Sequence, residues 1–188
     1  MSEIAELVLA EAEERMEKAI AHSRAQFSSI RSGRAAPQLV ERLKAEVYGV
    51  EMSMQEIASI AVPEARQLLI TPHDPQNLDA VERAIRSSDL GLSPSNDGRS
   101  LRLNFPPLTE ERRKELVRMV KNMAEDGRIS IRNIRRDARK DLESAEKDKE
   151  LTADELSRAE KDLDRLTQTS EATVDGALAT KEEELLEV

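Results

Sequence analysis

Six cations stand within the fourteen residues RISIRNIRRDARKD, positions 128 to 141, and five of the six are arginines. The chain as a whole carries a formal net charge of -9, so this stretch is a local reversal of sign. Planar guanidinium groups suit two-point contacts to phosphate better than a lysine ammonium does. At about 100° per residue, Lys121, Arg128, Arg132, Arg135 and Arg139 fall within about 60° of one another on a helix, and Arg118 and Arg136 widen the strip. Two uses are open to such a strip. It can be a solvated face whose arginines pair with Asp137, Asp141 or an acidic neighbouring helix. It can also hold a nucleic-acid backbone, reading shape and phosphate rather than sequence, in which case an acidic remainder opposes indiscriminate adhesion to RNA.

No other grouping competes for chemistry. The chain has no cysteine, which rules out disulfides and thiolate sites and fits a reducing, cytoplasmic setting. Two histidines, His22 and His73, are too few for a histidine-based zinc site and read better as a helix-surface and a turn residue than as bases. There is no Gly-rich phosphate loop, no metal-ligand spacing and no Ser, His and Asp set beyond what chance supplies. No catalytic residue, metal or cofactor is therefore expected. Phe27, Tyr48 and Phe105 are the only aromatics, which argues against base stacking as a binding mode. The N-terminal stretch is acidic and amphipathic, and nowhere do about 18 apolar residues run together, so neither a signal peptide nor a membrane span is expected.

The strip needs a long helix to carry it, and the sequence supplies three. Leu9, Ala12, Met16, Ile20, Ser23, Phe27 and Ile30 recur at steps of three and four over residues 3 to 30. Leu116, Val120, Met123, Ile131, Ile134, Ala138 and Leu142 do the same from Thr109, a capping residue, to about residue 147. Their phase holds across Gly127, which predicts an unbroken helix. A third run opens at LTADEL, where Thr152 and Glu155 satisfy a capping box, and carries Leu156, Ala159, Leu163, Leu166, Ser170, Val174 and Ala177. Three helices with one apolar stripe each hide those stripes against one another as a bundle. Charge divides by helix: residues 110 to 141 sum to +4 and residues 142 to 188 to -9.

Between the first helix and the second, the texture changes. KAEVYG, ASIAV, RQLLIT and LRLNF lean towards strand, separated by Gly, Pro, Asn and Asp. One helix interrupts them, with Asp74 placed to cap, Pro75 in the first turn and Gly91 beyond the end. The expectation is an α+β chain of two domains: an antiparallel three-helix bundle from residues 1-30 and 107-188, with a small β/α/β domain, residues 31-106, inserted through paired crossings at 31-36 and 104-108. Paired crossings make a natural hinge.

Six phrases stand in one order and spacing: SIRSGRAAP at 29, SSDLGL at 87, PPLTEERRKEL at 106, IRNIRRDA at 131, KDKELT at 147 and the ending KEEELLEV. Together they resemble the bacterial ribosome recycling factor family over essentially the whole chain. The resemblance implies an L-shaped, tRNA-like molecule, monomeric and cytoplasmic. It would bind the post-termination ribosome and, with elongation factor G and GTP hydrolysis by that partner, promote dissociation into subunits. It implies binding of large-subunit rRNA through the second bundle helix, carried over to Arg132 and Arg135 of RNIRRD first, then Arg112 and Arg113 of EERRK, then Arg31 and Arg34 of IRSGRA. Arg128 and Arg139 join them from the helical strip. The hinge would comprise Ser32, Gly33, Ala35, Pro106 and Pro107. The chain departs from the family's pattern at VYGVEMSMQEI, which lacks a proline after Gly49, so a loop of different shape or mobility is expected there. A coiled-coil adaptor or co-chaperone, using the same heptads to bind a protein helix, is the rival class.

Overall fold

The computed structural model describes residues 2–187; Met1 and Val188, the outer ends of the expected bundle segments, lie outside the described residues. The chain divides into two compact units, one ending at Ile30 and resuming over Glu110–Glu187, the other Arg31–Thr109.

The first unit is three mutually packed helices, α1 (Glu3–Ser29), α5 (Glu110–Lys147) and α6 (Ala153–Leu186). Each buries one stripe. Ala5, Ala12, Met16, Ser23 and Phe27 of α1 meet Leu116, Val120, Ala124, Ile131, Ile134, Ala138 and Leu142 of α5 and Ala159, Leu163, Thr167, Ser170 and Val174 of α6. Many of these are small, which lets the helices approach closely. Gly127 is the tightest point: a methyl group there would lie 2.4 Å from Ser23 Oγ and 3.6 Å from Val174 Cγ1. The glycine thus leaves α5 unbroken, at 38 residues and about 57 Å. α5 and α6 are joined by a turn in which Lys149 adopts a left-handed φ of 64°. The Thr152 hydroxyl accepts from the Glu155 amide at 3.3 Å, while Glu155 accepts from the Thr152 amide at 3.1 Å, the box that starts α6.

In the second unit α2 (Gln38–Glu41) leads to a two-stranded hairpin, β1 (Lys44–Val47) and β2 (Val50–Ser53), and a single turn, α3 (Met54–Ile57). A separate antiparallel sheet runs in the order β3 (Ala58–Glu64), β4 (Gln67–Pro72), β6 (Leu101–Asn104), β5 (Ser95–Asn96). Between β4 and β6 lie a 3-10 turn, Pro75–Asn77, and α4 (Leu78–Arg86). Asp74 accepts from the Gln76 amide at 3.0 Å, as expected of a cap. Alternation buries Leu68 and Ile70 on β4 and Leu101 and Leu103 on β6 in one core with Val81 and Ile85 of α4 and Val40, Val47 and Met54. The stretch after Gly49, expected as a loop of altered shape, is strand β2, entered through a two-residue turn in which Tyr48 and Gly49 both have positive φ, 52° and 77°. Such a turn matches the twist of the strands it joins.

Candidate nucleic-acid interface

The buried stripe of α5 fixes where every cation on that helix stands. Lys121, Arg128, Arg132, Arg135 and Arg139 lie on the flank that faces α6, and α6 returns a carboxylate to each of them from one face. Lys121 Nζ is 3.3 Å from Glu182 Oε1, near enough for charge attraction although without hydrogen-bond geometry. Arg128 pairs with Asp175, Arg132 lies 3.6 Å from Glu171, Arg135 3.5 Å from Asp164, and Arg139 3.1 Å from Glu160. The antiparallel course of the two helices makes this a five-rung ladder, its end rungs 18 residue steps apart on α5 and so about 27 Å.

Within α5 itself, Glu125 accepts from Arg128 Nε at 2.9 Å and Arg132 Nη2 at 2.5 Å, and Arg139 lies 3.2 Å from Glu143. The hydrogen bond from Arg128, followed by that from Arg132, holds the Glu125 carboxyl below the usual carboxylate range. Arg128 is correspondingly raised, chiefly by Glu125, and its side chain is only 24% exposed. Arg132, Arg135 and Arg139 keep 51%, 42% and 51% exposed. The strip is therefore a paired, half-exposed seam between helices, and of the two uses left open by the sequence, pairing with an acidic neighbour is the resting arrangement. Pairs this exposed add little net stability and exchange partners readily, so their occupancy does not bar phosphate.

A second row lies directly opposite the core. Arg118, Arg136 and Lys140 are exposed and, among the described residues, make no ion pair. Ile129, 45% exposed, sits between Arg118 and Arg136 on the same line. Sequence reasoning named Arg118 and Arg136 only as widening the strip and passed over Lys140. Their position about 180° from the apolar stripe was the available signal.

The remaining candidates separate. Arg112 is exposed and lies 2.8 Å from Glu115. Arg113 is half-buried, with its Nε buried and without a hydrogen-bond partner among the described residues. That leaves it poorly placed as a surface contact. Arg31 and Arg34 are exposed in the connecting segment ahead of α2. Of the hinge candidates, Gly33 has φ 77°, with space for a Cβ only 3.4 Å from Leu108 Cγ. The Ala35 amide donates to Ala65 at 2.9 Å and the Phe105 amide to Arg66 at 2.9 Å. Both connecting segments are thus tied to one turn, between β3 and β4. Ser32 and Gly33 on one side and Pro106 and Pro107 on the other lie beyond those ties, whereas Ala35 is part of them.

Among the described residues no group of acidic or histidine side chains is arranged to hold a metal ion, and no helix is long and apolar enough to cross a membrane.

The profile of the ribosome recycling factor family matches residues 23–186. The ribosome-recycling factor of Rubrobacter xylanophilus is 51% identical over 180 residues, 96% of this chain and 97% of that one. That of Thermobifida fusca is 49% identical over 183 residues, 97% and 99% of the two chains. A solution structure of the ribosome recycling factor superposes with a TM-score of 0.79 at 36% identity, covering all of both chains. A second structure is described as models for the T. thermophilus ribosome recycling factor and the E. coli elongation factor G bound to the E. coli post-termination complex. It is similar at a TM-score of 0.64 and 42% identity, over 99% of this chain and 100% of that one. Ribosome recycling factors are non-enzymatic translation factors. On a profile match spanning most of its length and identities near one half over nearly all of it, the chain belongs to the ribosome recycling factor family.

Proposed function

We propose that this protein binds the post-termination ribosome in the cytoplasm and, with elongation factor G and the GTP hydrolysis of that factor, drives dissociation into subunits and release of mRNA. In this reading α5 is the RNA-binding element. Arg118, Arg136 and Lys140 meet phosphate directly, and Arg128, Arg132, Arg135 and Arg139 join by exchanging a carboxylate of α6 for a phosphate oxygen, a like-for-like trade of charged partner. Arg112, Arg31 and Arg34 extend the contact. Arg113, half-buried, contributes to packing more than to contact.

The unit Arg31–Thr109 then acts as the moving part. Its connecting segments are held at Ala35 and Phe105, so rotation is confined to residues 31–34 and 106–109, with Gly33 supplying the backbone freedom. Energy comes from the GTPase and the protein transmits load, which is why a rigid 38-residue helix without catalytic groups suffices.

The observation that carries this reading is the combination of family membership with a row of cations opposite the core of α5 that, among the described residues, make no ion pair. Its test is Arg135→Ala. The side chain is off the buried stripe, so the fold survives and ribosome binding at moderate salt falls by about 1–2 kcal/mol, roughly five- to thirtyfold, as for loss of one charged hydrogen-bonding group. Binding as tight as that of the unsubstituted protein would remove Arg135 from the interface.

A further inference from the structure

We propose that the acidic row of α6, Glu160, Asp164, Glu171 and Asp175, is a built-in competitor for the guanidinium groups of α5 and thereby determines which RNA the protein accepts. The inference rests on the reading of α5 as the RNA-binding element and adds a role for a different helix.

The ladder geometry carries it. Each of Arg128, Arg132, Arg135 and Arg139 faces a carboxylate of α6 across the helix seam, and Glu125 and Glu143 reinforce three of them from within α5. The four acids fall within about 60° of one another on α6, at about 100° per residue, so each arginine of the strip meets a carboxylate although the middle step is three residues on α5 and seven on α6. A phosphate that takes a guanidinium must first displace its carboxylate and then tolerate that carboxylate nearby. For pairs this exposed the cost of any one rung is small, and it mounts with the number of carboxylates left beside bound phosphate. A rigid, folded RNA that presents phosphates to several rungs along about 17 Å, and to Arg118, Arg136 and Lys140 as well, offsets the cost at every rung. An arbitrary RNA that reaches one or two rungs does not. Discrimination built on an opposing charge, rather than on added attraction, is a general route to specificity. It also gives the -9 charge of residues 142 to 188 a local purpose.

The test uses the full chain and two probes, vacant ribosomes and a short duplex RNA of arbitrary sequence. Asp164→Asn with Glu171→Gln removes the α6 competitors of Arg135 and Arg132 while keeping side-chain shape, Glu125 remaining on Arg132. Glu11→Gln with Glu13→Gln changes net charge equally on the exposed face of α1, where neither acid makes an ion pair among the described residues. The α6 variant should bind duplex RNA about tenfold tighter, with a salt dependence steeper by about 0.9 for each guanidinium released to phosphate, while the α1 variant gains clearly less. Ribosome affinity should rise less than duplex affinity, so discrimination falls. Adding Arg132→Ala and Arg135→Ala to the α6 variant should abolish the gain. Equal gains for the two variants would show that net charge alone acts, no gain would show that the carboxylates do not compete, and equal gains on both probes would remove the role in discrimination; each overturns the proposal. Should helicity of the α6 variant be lost, the single Asp164→Asn protein takes its place with the same outcomes. Arg135→Ala in the otherwise unaltered chain reads the underlying RNA contact separately: lost ribosome binding there with no gain here rejects the competitor alone.

Discussion

At the scale of single residues, Gly127 shows how a position can look permissive in the sequence and be fixed by packing. Alanine would favour the helix by about 1 kcal/mol, but its methyl group would stand 2.4 Å from Ser23 Oγ, and overpacking of that kind costs about 1–3 kcal/mol. Gly127→Ala is therefore expected to lower stability by about 1 kcal/mol in a denaturant titration. Ser23→Ala added to it should restore most of the loss, a coupling that a double-mutant cycle reads directly. A stabilised Gly127→Ala protein would contradict the close approach. The apolar residues of the stripe were legible because period 3.6 forces them to one side. The tightness at Gly127 was not, since the helices that meet there come from residues about a hundred apart.

At the scale of elements, the capping box that starts α6 was legible as Thr152 followed three residues later by Glu155, and both halves of it form. Thr152→Ala should cost about 1 kcal/mol of stability. Glu155 is held below the usual carboxylate range, first by the Thr152 amide and then by its hydroxyl. A lowered carboxylate stabilises the fold above its ordinary pKa and loses that contribution as pH falls through the lowered value. The gap in melting temperature between the unsubstituted protein and Glu155→Gln should thus be full at neutral pH and close below the ordinary carboxylate pKa of about 4.3. A gap that persisted in acid would place the effect elsewhere. Other elements were less legible: β2 is exposed or half-buried along its length, so VEMS shows no alternation, and it is strand because the Tyr48–Gly49 turn folds it back on β1. The ion-pair ladder was invisible for a further reason. The sequence gives the face on which Arg132 stands, but the register of α6 against α5 decides that Glu171 stands opposite.

At the scale of the whole molecule, the proposed function assigns the two units different behaviour, one anchoring and one moving. The absence of native cysteine makes a direct trial simple, a cysteine introduced in each unit and oxidised to fix their relation. The locked protein should still bind ribosomes yet fail to split them with elongation factor G, and reduction should restore splitting; normal splitting by the locked form would deny the unit Arg31–Thr109 a moving role. Beneath that lies the claim on which the account depends, that α5 exchanges its paired carboxylates for ribosomal phosphate. Co-sedimentation with vacant ribosomes across a salt series measures it. The logarithm of affinity should fall against the logarithm of salt with a slope of about -3 to -5, and Arg132→Ala with Arg135→Ala should flatten it by about 1.5. Salt-insensitive binding, or a slope unchanged by the two substitutions, would contradict it.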